Sequence, residues 1–482
     1  MKTLMRRTLY ALGGLLALLV LFHVVENWRG NRAWAAWQKE QEAEGYRFDR
    51  TSYVPPAVPD DENFAAIPRI AAAIQGTHPL LTLPANWPDW KADWREARHM
   101  DLEAYAAAFP GGDVPKGLGS YQKVLDEVGM AAARPGCRLA IDYAHFPDDL
   151  QVPNLSGFRA AGRMLQFRAL AALRDGRNEA AFQDVTTLLR MANHFEREPI
   201  LLCQLLHMAL ANLALQPIWE GMDAHAWTDP QLAELQEMLA KTDFLASLDR
   251  SWRLEQAGMS ALWLQVAGEA PWAWTPYPNS SLDGSSRPGH VMAFLRHLAI
   301  PRGWILQNAV RGSRGIQEIV SDPLEIAAHR IDPRRQEAAL MVHSKSGSNP
   351  YTFLVSDLGP ALAAQNIRAA RFQMDFAHAW IACELERYRR ARHAFPEQLA
   401  EIGTHIPSDV IGGNPLHYRR TQDGGYVLYS LGWNGTDEGG QIGHGKDAIR
   451  EGDWVWAIHG VPSSHLGVGA RLAHRKLGSG PS

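Results

Sequence analysis

The N-terminal segment limits what this chain can fold into more than any other part of the sequence. After three basic residues, positions 8–25 carry no charge and are almost entirely apolar. That length just reaches what a helix needs to cross the hydrocarbon core of a bilayer. A cleaved signal peptide has a shorter apolar run that ends near a small-residue cleavage site. The nearest such triplet, 33–35, lies beyond Glu26, so the sequence favours an uncleaved membrane anchor.

The basic residues on either side of this run predict its orientation. Lys2, Arg6 and Arg7 precede it, whereas Arg29 and Arg32 follow it. Positively charged flanks tend to stay on the cytoplasmic side of a membrane. We therefore predict a single-pass protein of the bacterial inner membrane, bound to the cytoplasmic membrane through residues 8–25, with the bulk of the chain extracytoplasmic in the periplasm.

The charge balance argues against one class of partner. The chain has 48 Lys and Arg residues against 52 Asp and Glu, and its pI is about 6.6. Residues 1–32 carry a net charge of +4 and residues 461–482 one of +3, which leaves −11 for the segment between them. Nucleic-acid-binding domains usually display a strongly basic face. We expect no nucleic-acid partner, and we interpret the negative surface as a source of solubility.

The middle of the chain is typical of helical hairpins. Apolar residues recur at helical spacing over 160–174 and 181–195, with a Gly-containing turn at 175–177. These features predict a mainly α-helical fold of helical hairpins, which could stack as an irregular solenoid, with an N-terminal transmembrane helix and a small C-terminal antiparallel β module. The apolar run 200–215 contains three polar side chains, so we interpret it as a buried core helix, with a second membrane helix as the alternative.

Composition divides the chain into further parts. Residues 45–59 contain three prolines and no helical periodicity, as an extended connector would. The predicted organisation is a membrane anchor over 1–32, an extended connector over 33–63, an α-helical body over 64–360, a long helix with the β module over 361–460, and a disordered basic tail over 461–482.

Motifs for catalysis or for nucleotide binding are missing from the sequence. It contains no HExxH or GxSxG pattern. Residues 440–446 have the spacing of a phosphate-binding loop, but Asp447 stands where a Ser or Thr would hold magnesium. Cys137, Cys203 and Cys383 form no CxxC pair. Cys203 and Cys383 lie in apolar helical stretches, so packing as small apolar side chains is favoured for these two, with a bridge between them left open.

The C-terminal segment carries the most specific pattern. A stripe of apolar residues at helical spacing over 367–388 predicts a long helix. Two short stretches, 416–420 and 426–431, flank the turn sequence 422–425 and predict a β-hairpin. A glycine-rich loop over 432–440 follows the hairpin.

These segments resemble the C-terminal half of the major pseudopilins of type II secretion. The matching residues are Phe395-Pro396, 413–418, 428–435 and Asp453-Trp454. The resemblance implies a small module of the pseudopilin kind, although no prepilin cleavage motif precedes the helix. The layout of the whole chain is also similar to that of uncharacterised membrane-anchored bacterial envelope proteins, a resemblance that implies no particular activity.

The pseudopilin resemblance further implies a calcium site in the glycine-rich loop. Its ligands would include Asn434, Asp437 and Asp453, where the first of these replaces an Asp of the family. Calcium takes six to eight oxygen ligands, and glycines let the main chain fold around it. The alternative is a glycine-rich loop capped by its own Asn and Asp side chains, without a metal.

Two functional hypotheses follow from these features. The first is a non-enzymatic membrane-anchored scaffold or interaction protein that presents its helical body and β module to other envelope proteins. The second is a periplasmic glycan-acting hydrolase or lyase, suggested by the acidic body and by loop tryptophans such as Trp87 and Trp94. Its proton donor would be an acid such as Glu255, Glu384 or Glu386, with a pKa raised by burial in a groove beside a Trp. The sequence does not single out any of them, so no catalytic residue is predicted.

Overall fold

The structure, a computed structural model, describes residues 2–88, 93–146, 154–268, 300–345, 349–352, 359–445 and 448–459. Its helices are α1 (Lys2–Ala43), α2 (Pro68–Ile74), α3 (Leu102–Ala106), α4 (Val114–Ala132), α5 (Ser156–Arg174), α6 (Asn178–Glu196), α7 (Leu201–Asp223), α8 (Asp229–Ala240), α9 (Phe244–Gly268), α10 (Arg302–Ile316), α11 (Pro333–Lys345) and α12 (Gly359–Arg392). Its strands are β1 (Leu324–Glu325), β2 (Arg330–Ile331), β3 (His417–Arg420), β4 (Tyr426–Ser430) and β5 (Trp454–Ile458). The predicted fold, mainly helical with a small C-terminal antiparallel sheet, is confirmed.

The predicted helical hairpin is formed by α5 and α6. The turn between them contains Gly176 with φ = 71°, a left-handed conformation that glycine adopts without steric cost. The two helices pack against each other and against α7 along their apolar faces. An ion pair joins their polar sides, where Arg168 Nη2 donates to Asp184 Oδ1 at 2.6 Å. Burial raises the pKa of Asp184, while the Arg168 guanidinium acts to lower it.

The core forms around α7, which contacts α5, α6, α9 and α12. Its side chains from Leu210 to Asp223 are all buried, as a helix surrounded by other helices requires. Gln204 donates to three main-chain carbonyls at the turn between α6 and α7. His207 is fully buried, and this burial lowers its pKa to about 3, so the ring is neutral. The apolar run 200–215 is therefore a core helix of the body.

Helix α1 runs without a break from the apolar N-terminal run into the body. No part of its apolar window is buried, and the helix is long and apolar enough to cross a membrane. From Glu26 onward, one face of the same helix is buried against α10 and α9, at positions that include Trp34 and Trp37. The helix ends at Ala43 and is followed by a turn at 44–45, so the extended connector that the sequence predicted over 33–63 does not begin at 33. Helix α10, against which this second half of α1 packs, is remote in sequence.

The C-terminal sheet has the order β3–β4–β5 and is antiparallel throughout. Leu428 on the central strand pairs with Tyr418 on one side and with Trp456 on the other. The Trp456 ring lies 5.0 Å from the ring of Trp94, and Trp219 Nε1 on α7 donates to the Ala457 carbonyl at 2.8 Å. The sheet therefore shares one apolar core with the helices that precede it.

The remaining predictions concern the cysteines and two short segments. Cys137, Cys203 and Cys383 are free and buried, as packing side chains would be. The predicted basic tail, 461–482, lies outside the described residues, as do Lys446 and Asp447 of the loop that resembles a phosphate-binding sequence.

Candidate functional site

The glycine-rich loop after β4 brings two carboxyl groups together. Asp453, just before β5, is 1% exposed, and its Oδ2 accepts a hydrogen bond from the Gly440 amide at 2.6 Å. Asp453 Oδ1 and Glu438 Oε2 are both buried with no hydrogen-bond partner in the described structure. Burial raises the pKa of Asp453, and the nearby Glu438 carboxylate raises it further. Two unpartnered carboxylate oxygens in one buried place are stabilised by a proton or by a cation.

The other two predicted ligands lie at the edge of this pair. Asn434 Nδ2 donates to Glu438 Oε1 at 2.9 Å, while its own Oδ1 accepts from the Thr436 amide. Asp437 turns away from Asp453, since its Oδ1 accepts from the Tyr429 hydroxyl at 3.2 Å and from the Gly439 amide at 2.9 Å. The structure thus brings Asn434 and Asp453 together through Glu438, which sequence reasoning missed.

The donor set around Asp453 and Glu438 suits a hard cation because every available donor is an oxygen. Within the described ranges, however, no group of three or more His, Cys, Asp or Glu side chains is arranged to hold a metal ion. Two carboxylates alone leave most of a calcium shell to amide and main-chain oxygens. Gly439 and Gly440, with φ of 74° and 82°, turn the main chain tightly at this position. The described residues therefore provide two unpartnered carboxylate oxygens for a cation, from Asp453 and Glu438, and no third acidic, His or Cys side chain beside them.

A second polar site joins α1 to α10 just after the apolar run. Glu26 is 5% exposed, and its Oε1 accepts from Arg29 at 2.7 Å. Its Oε2 accepts from Trp304 Nε1 at 3.1 Å and from the Tyr351 hydroxyl at 3.3 Å. These donors satisfy the hydrogen-bonding capacity of both oxygens of the buried carboxyl group. These contacts connect the anchor helix to two remote segments of the body.

The two helices also approach each other at a pair of glycines. A Cβ atom added to Gly30 would come closer than 3.0 Å to the main chain of Gly303, and one added to Gly303 would clash with the main chain of Glu26. The Asn27 side chain accepts from the Gly303 amide at 2.8 Å. Beside this crossing, the Trp304 ring lies 5.7 Å from Phe22, a residue of the apolar run. The body thus contacts the apolar run itself.

A third cluster places an imidazole between two carboxylates. His99 Nδ1 lies 3.1 Å from Glu220 Oε2, and its Nε2 lies 2.9 Å from Asp223 Oδ2, both on α7. Although burial acts to lower it, the hydrogen bonds from these two carboxylates raise the pKa of His99 to about 9. The ring is therefore a cation at neutral pH with both nitrogens engaged. It clamps the segment before α3 to α7 and has no free nitrogen to act as a base.

Of the three acids considered as proton donors, Glu255 lies on α9, and Glu384 and Glu386 lie on α12. Burial raises the pKa of Glu255 to about 7, the range of a general acid. Glu384 is paired with Arg387 at 3.2 Å. Burial acts to raise the pKa of Glu386, but hydrogen bonds led by Arg389 lower it overall. None of the three lines any of four cavities of about 310–670 Å³ that the described residues form.

The tryptophans considered for sugar stacking are packing residues. Trp87 makes edge-to-face contacts with Tyr105, Phe109 and Phe167. Trp94 is fully buried against the C-terminal sheet. Trp94 therefore has no ring face open to a ligand, and Trp87 is partly buried by its aromatic contacts.

No protein-family model, no curated protein and no solved structure matches this chain. The resemblance of its C-terminal segment to pseudopilins stays a prediction.

Proposed function

We propose that this chain is a single-pass inner-membrane protein that acts as a non-catalytic scaffold and holds its helical body on the periplasmic face for binding to other envelope proteins. The observation that carries this proposal is the continuity of α1. The helix has 42 residues and is about 63 Å long, roughly twice the ~30 Å hydrocarbon core of a bilayer. Its first half exposes apolar side chains, and its second half is built into the body. A body joined in this way keeps a fixed orientation at the membrane, as a scaffold requires.

The residues at the start of the joint support a membrane surface at this level. Trp28 is 61% exposed, and the Arg32 guanidinium lies 5.6 Å from the centre of its ring. Trp and Arg are frequent where a helix leaves the bilayer, because their side chains have both apolar and polar parts. Trp304 of the body touches Phe22 of the apolar run nearby. These contacts favour a body that rests against the membrane.

The polar clusters of the described residues support a structural role over catalysis. Both ring nitrogens of His99 are hydrogen-bonded to carboxylates. The Glu26 carboxyl group accepts hydrogen bonds from α1, α10 and Tyr351. A general acid or base needs an open side that a substrate can reach. Glu255 has a suitable pKa, but it lines none of the four cavities.

We also propose that the C-terminal loop binds calcium, in keeping with the pseudopilin resemblance. The unpartnered oxygens of Asp453 and Glu438 support this part of the proposal. A bound ion would replace the proton that the raised pKa of Asp453 favours. It would thereby stabilise the connection between β4 and β5, which lies against the body.

The membrane orientation is tested by labelling introduced cysteines in intact cells with a permeable outer membrane. Thr3→Cys and Lys123→Cys place thiols at exposed positions, while the three native cysteines are buried. A maleimide that cannot cross the inner membrane should label the Lys123→Cys variant directly and the Thr3→Cys variant only after the cells are lysed. The reverse pattern would contradict the proposed topology.

The scaffold role is tested on the full chain extracted from membranes with mild detergent. We expect it to migrate in a complex larger than the 53.5 kDa chain plus its micelle, and to release no soluble sugar from peptidoglycan. A monomer that releases sugar, with the activity lost in the Glu255→Gln variant and kept in Glu237→Gln, would establish the hydrolase instead. Glu237 is an exposed glutamate of α8 and provides the matched control.

A further inference from the structure

A basic cleft lies where three helices end, and the proposed scaffold role does not use it. The helices α4, α6 and α8 end at Ala132, Glu196 and Ala240, beside a cavity of about 670 Å³. Five basic side chains and one acidic side chain line this cavity: Arg134, Arg190, Arg197, Lys241, Arg250 and Glu196. Such a concentration of positive charge is unexpected in a segment whose net charge is −11.

The negative ends of helix dipoles attract basic side chains, so part of the positive charge in the cleft only balances the three helix C-termini. Each C-terminus carries roughly −0.5 elementary charge, so three of them offset about 1.5 of a surplus of four positive charges. Arg250 is not explained by its own helix, because it lies in the second turn of α9, where the dipole disfavours a cation. It reaches across to the end of α6, where it donates to the Glu196 carbonyl at 3.2 Å. A positive potential therefore remains in the cleft.

Breaking the existing ion pairs of these cations, so that they can bind a ligand, costs little free energy. Arg190 pairs with Glu234 at 3.2 Å and Lys241 with Glu237 at 2.6 Å, and all four side chains are more than 40% exposed. Exposed ion pairs of this kind contribute about 0–1 kcal/mol. Arg197 is exposed and has no hydrogen-bond or ion-pair partner among the residues described. Arg190, Arg197 and Lys241, at the ends of α6 and α8, are thus available to a ligand.

The floor of the cleft does not repel an anion. It includes His194 and Cys137, which are both buried. Burial lowers the pKa of His194 to about 4 and raises that of the Cys137 thiol, so both groups are neutral at pH 7. A cavity of this volume falls within the range of about 300–1,000 Å³ that small-molecule sites occupy.

We propose that this cleft binds a compact, multiply charged oxyanion of the phosphate-ester class. Arg190, Arg197 and Lys241 supply exposed charged donors from the ends of α6 and α8, and guanidinium groups match phosphate oxygens with two parallel hydrogen bonds. Arg134 and Arg250 already donate to main-chain carbonyls and add to the positive potential of the cleft. A ligand held by the three exposed cations would tie the ends of α6 and α8 together. The site is independent of the scaffold role and of the calcium loop.

The test measures binding of inorganic pyrophosphate to the full chain in detergent by calorimetry, with potassium chloride at equal ionic strength as the reference. We expect pyrophosphate to bind, and the dissociation constant to rise at least tenfold when Arg190→Gln and Arg197→Gln are combined. The matched control is Arg159→Gln, an exposed arginine of α5 that does not line the cleft and should leave the affinity unchanged. Melting temperatures without ligand show that the variants are folded.

Two outcomes would overturn the proposal. One is a wild-type chain that binds pyrophosphate no better than chloride, or a double variant that binds as tightly as the Arg159→Gln chain. The other is binding of short-chain phosphatidic acid without binding of pyrophosphate, which would identify the acyl chains of a lipid as the recognised part. Binding of both, with the same loss in the double variant, supports recognition of the phosphate group.

Discussion

Gly303→Ala should open the joint between α1 and the body. The added Cβ would clash with the main chain of Glu26, which cannot rotate away as a side chain could. The two helices must separate, and this lengthens the hydrogen bond between Glu26 and Trp304. Overpacking of this kind costs about 1–3 kcal/mol. If the joint opens locally, that free energy corresponds to a roughly 5- to 150-fold increase in the population of the open state.

Hydrogen exchange of the amides in α10 measures this population directly. We expect exchange over residues 302–316 to accelerate by that factor in Gly303→Ala. The control is Gly119→Ala, at an exposed position of α4 where a Cβ would meet nothing within 4 Å. This second change should raise stability by about 0.4–1 kcal/mol and leave α10 unaffected. Equal exchange over 302–316 in both variants would refute the idea that the close approach of Gly303 holds the joint.

Three further predictions concern groups with shifted pKa values. Calcium at 100 times its dissociation constant should raise the free energy of unfolding by about 2.7 kcal/mol, and Asp453→Asn should remove the effect while Asp437→Asn keeps it; equal melting with calcium and with chelator would contradict the site. His99 has a folded-state pKa of about 9, above its unfolded value of about 6.5, so its stabilisation is complete below pH 6.5 and is lost as pH rises through 9. Urea unfolding across that window should show a loss of roughly 3 kcal/mol in the wild type and a flatter profile in His99→Gln, and parallel profiles would contradict the clamp. Glu255 has a folded-state pKa of about 7 against about 4.5 when unfolded, so its ionisation should lower the stability of the protein as pH rises from 4.5 to 7. The Glu255→Gln variant should therefore have a higher free energy of unfolding than the wild type at pH 8. An equal or lower free energy of unfolding in the variant would show that the carboxylate is solvated.

The parts of the fold that could be predicted from the sequence depend on near neighbours along the chain. The absence of charge over 8–25 identifies the apolar half of α1, and helical periodicity over 160–174 and 181–195 identifies the hairpin of α5 and α6. The turn at 422–425 defines the hairpin of β3 and β4. Each of these patterns works because side-chain spacing and turn chemistry act within a few residues.

The loop site could be predicted in part for the same reason. Asp453 and Asn434 belong to the segment that the resemblance identified, and both lie at the paired carboxylates. The choice between Asp437 and Glu438 could not be made, because adjacent side chains in an irregular loop point in directions set by the main chain. The positive φ angles of Gly439 and Gly440 decide that direction only once the loop has folded.

Tertiary structure alone brought together the residues that are remote in sequence. Gly303 meets Glu26, His99 meets Glu220, and Arg197 shares a cleft with Arg134. The sequence by itself determined the apolar half of α1, the hairpin of α5 and α6, and the hairpin of β3 and β4, whereas the second half of α1 became helical by packing against α10. Contacts between distant segments leave no periodic signal in a single sequence, because they depend on how helices cross and pack, and that geometry is set by the burial of their apolar faces as a whole.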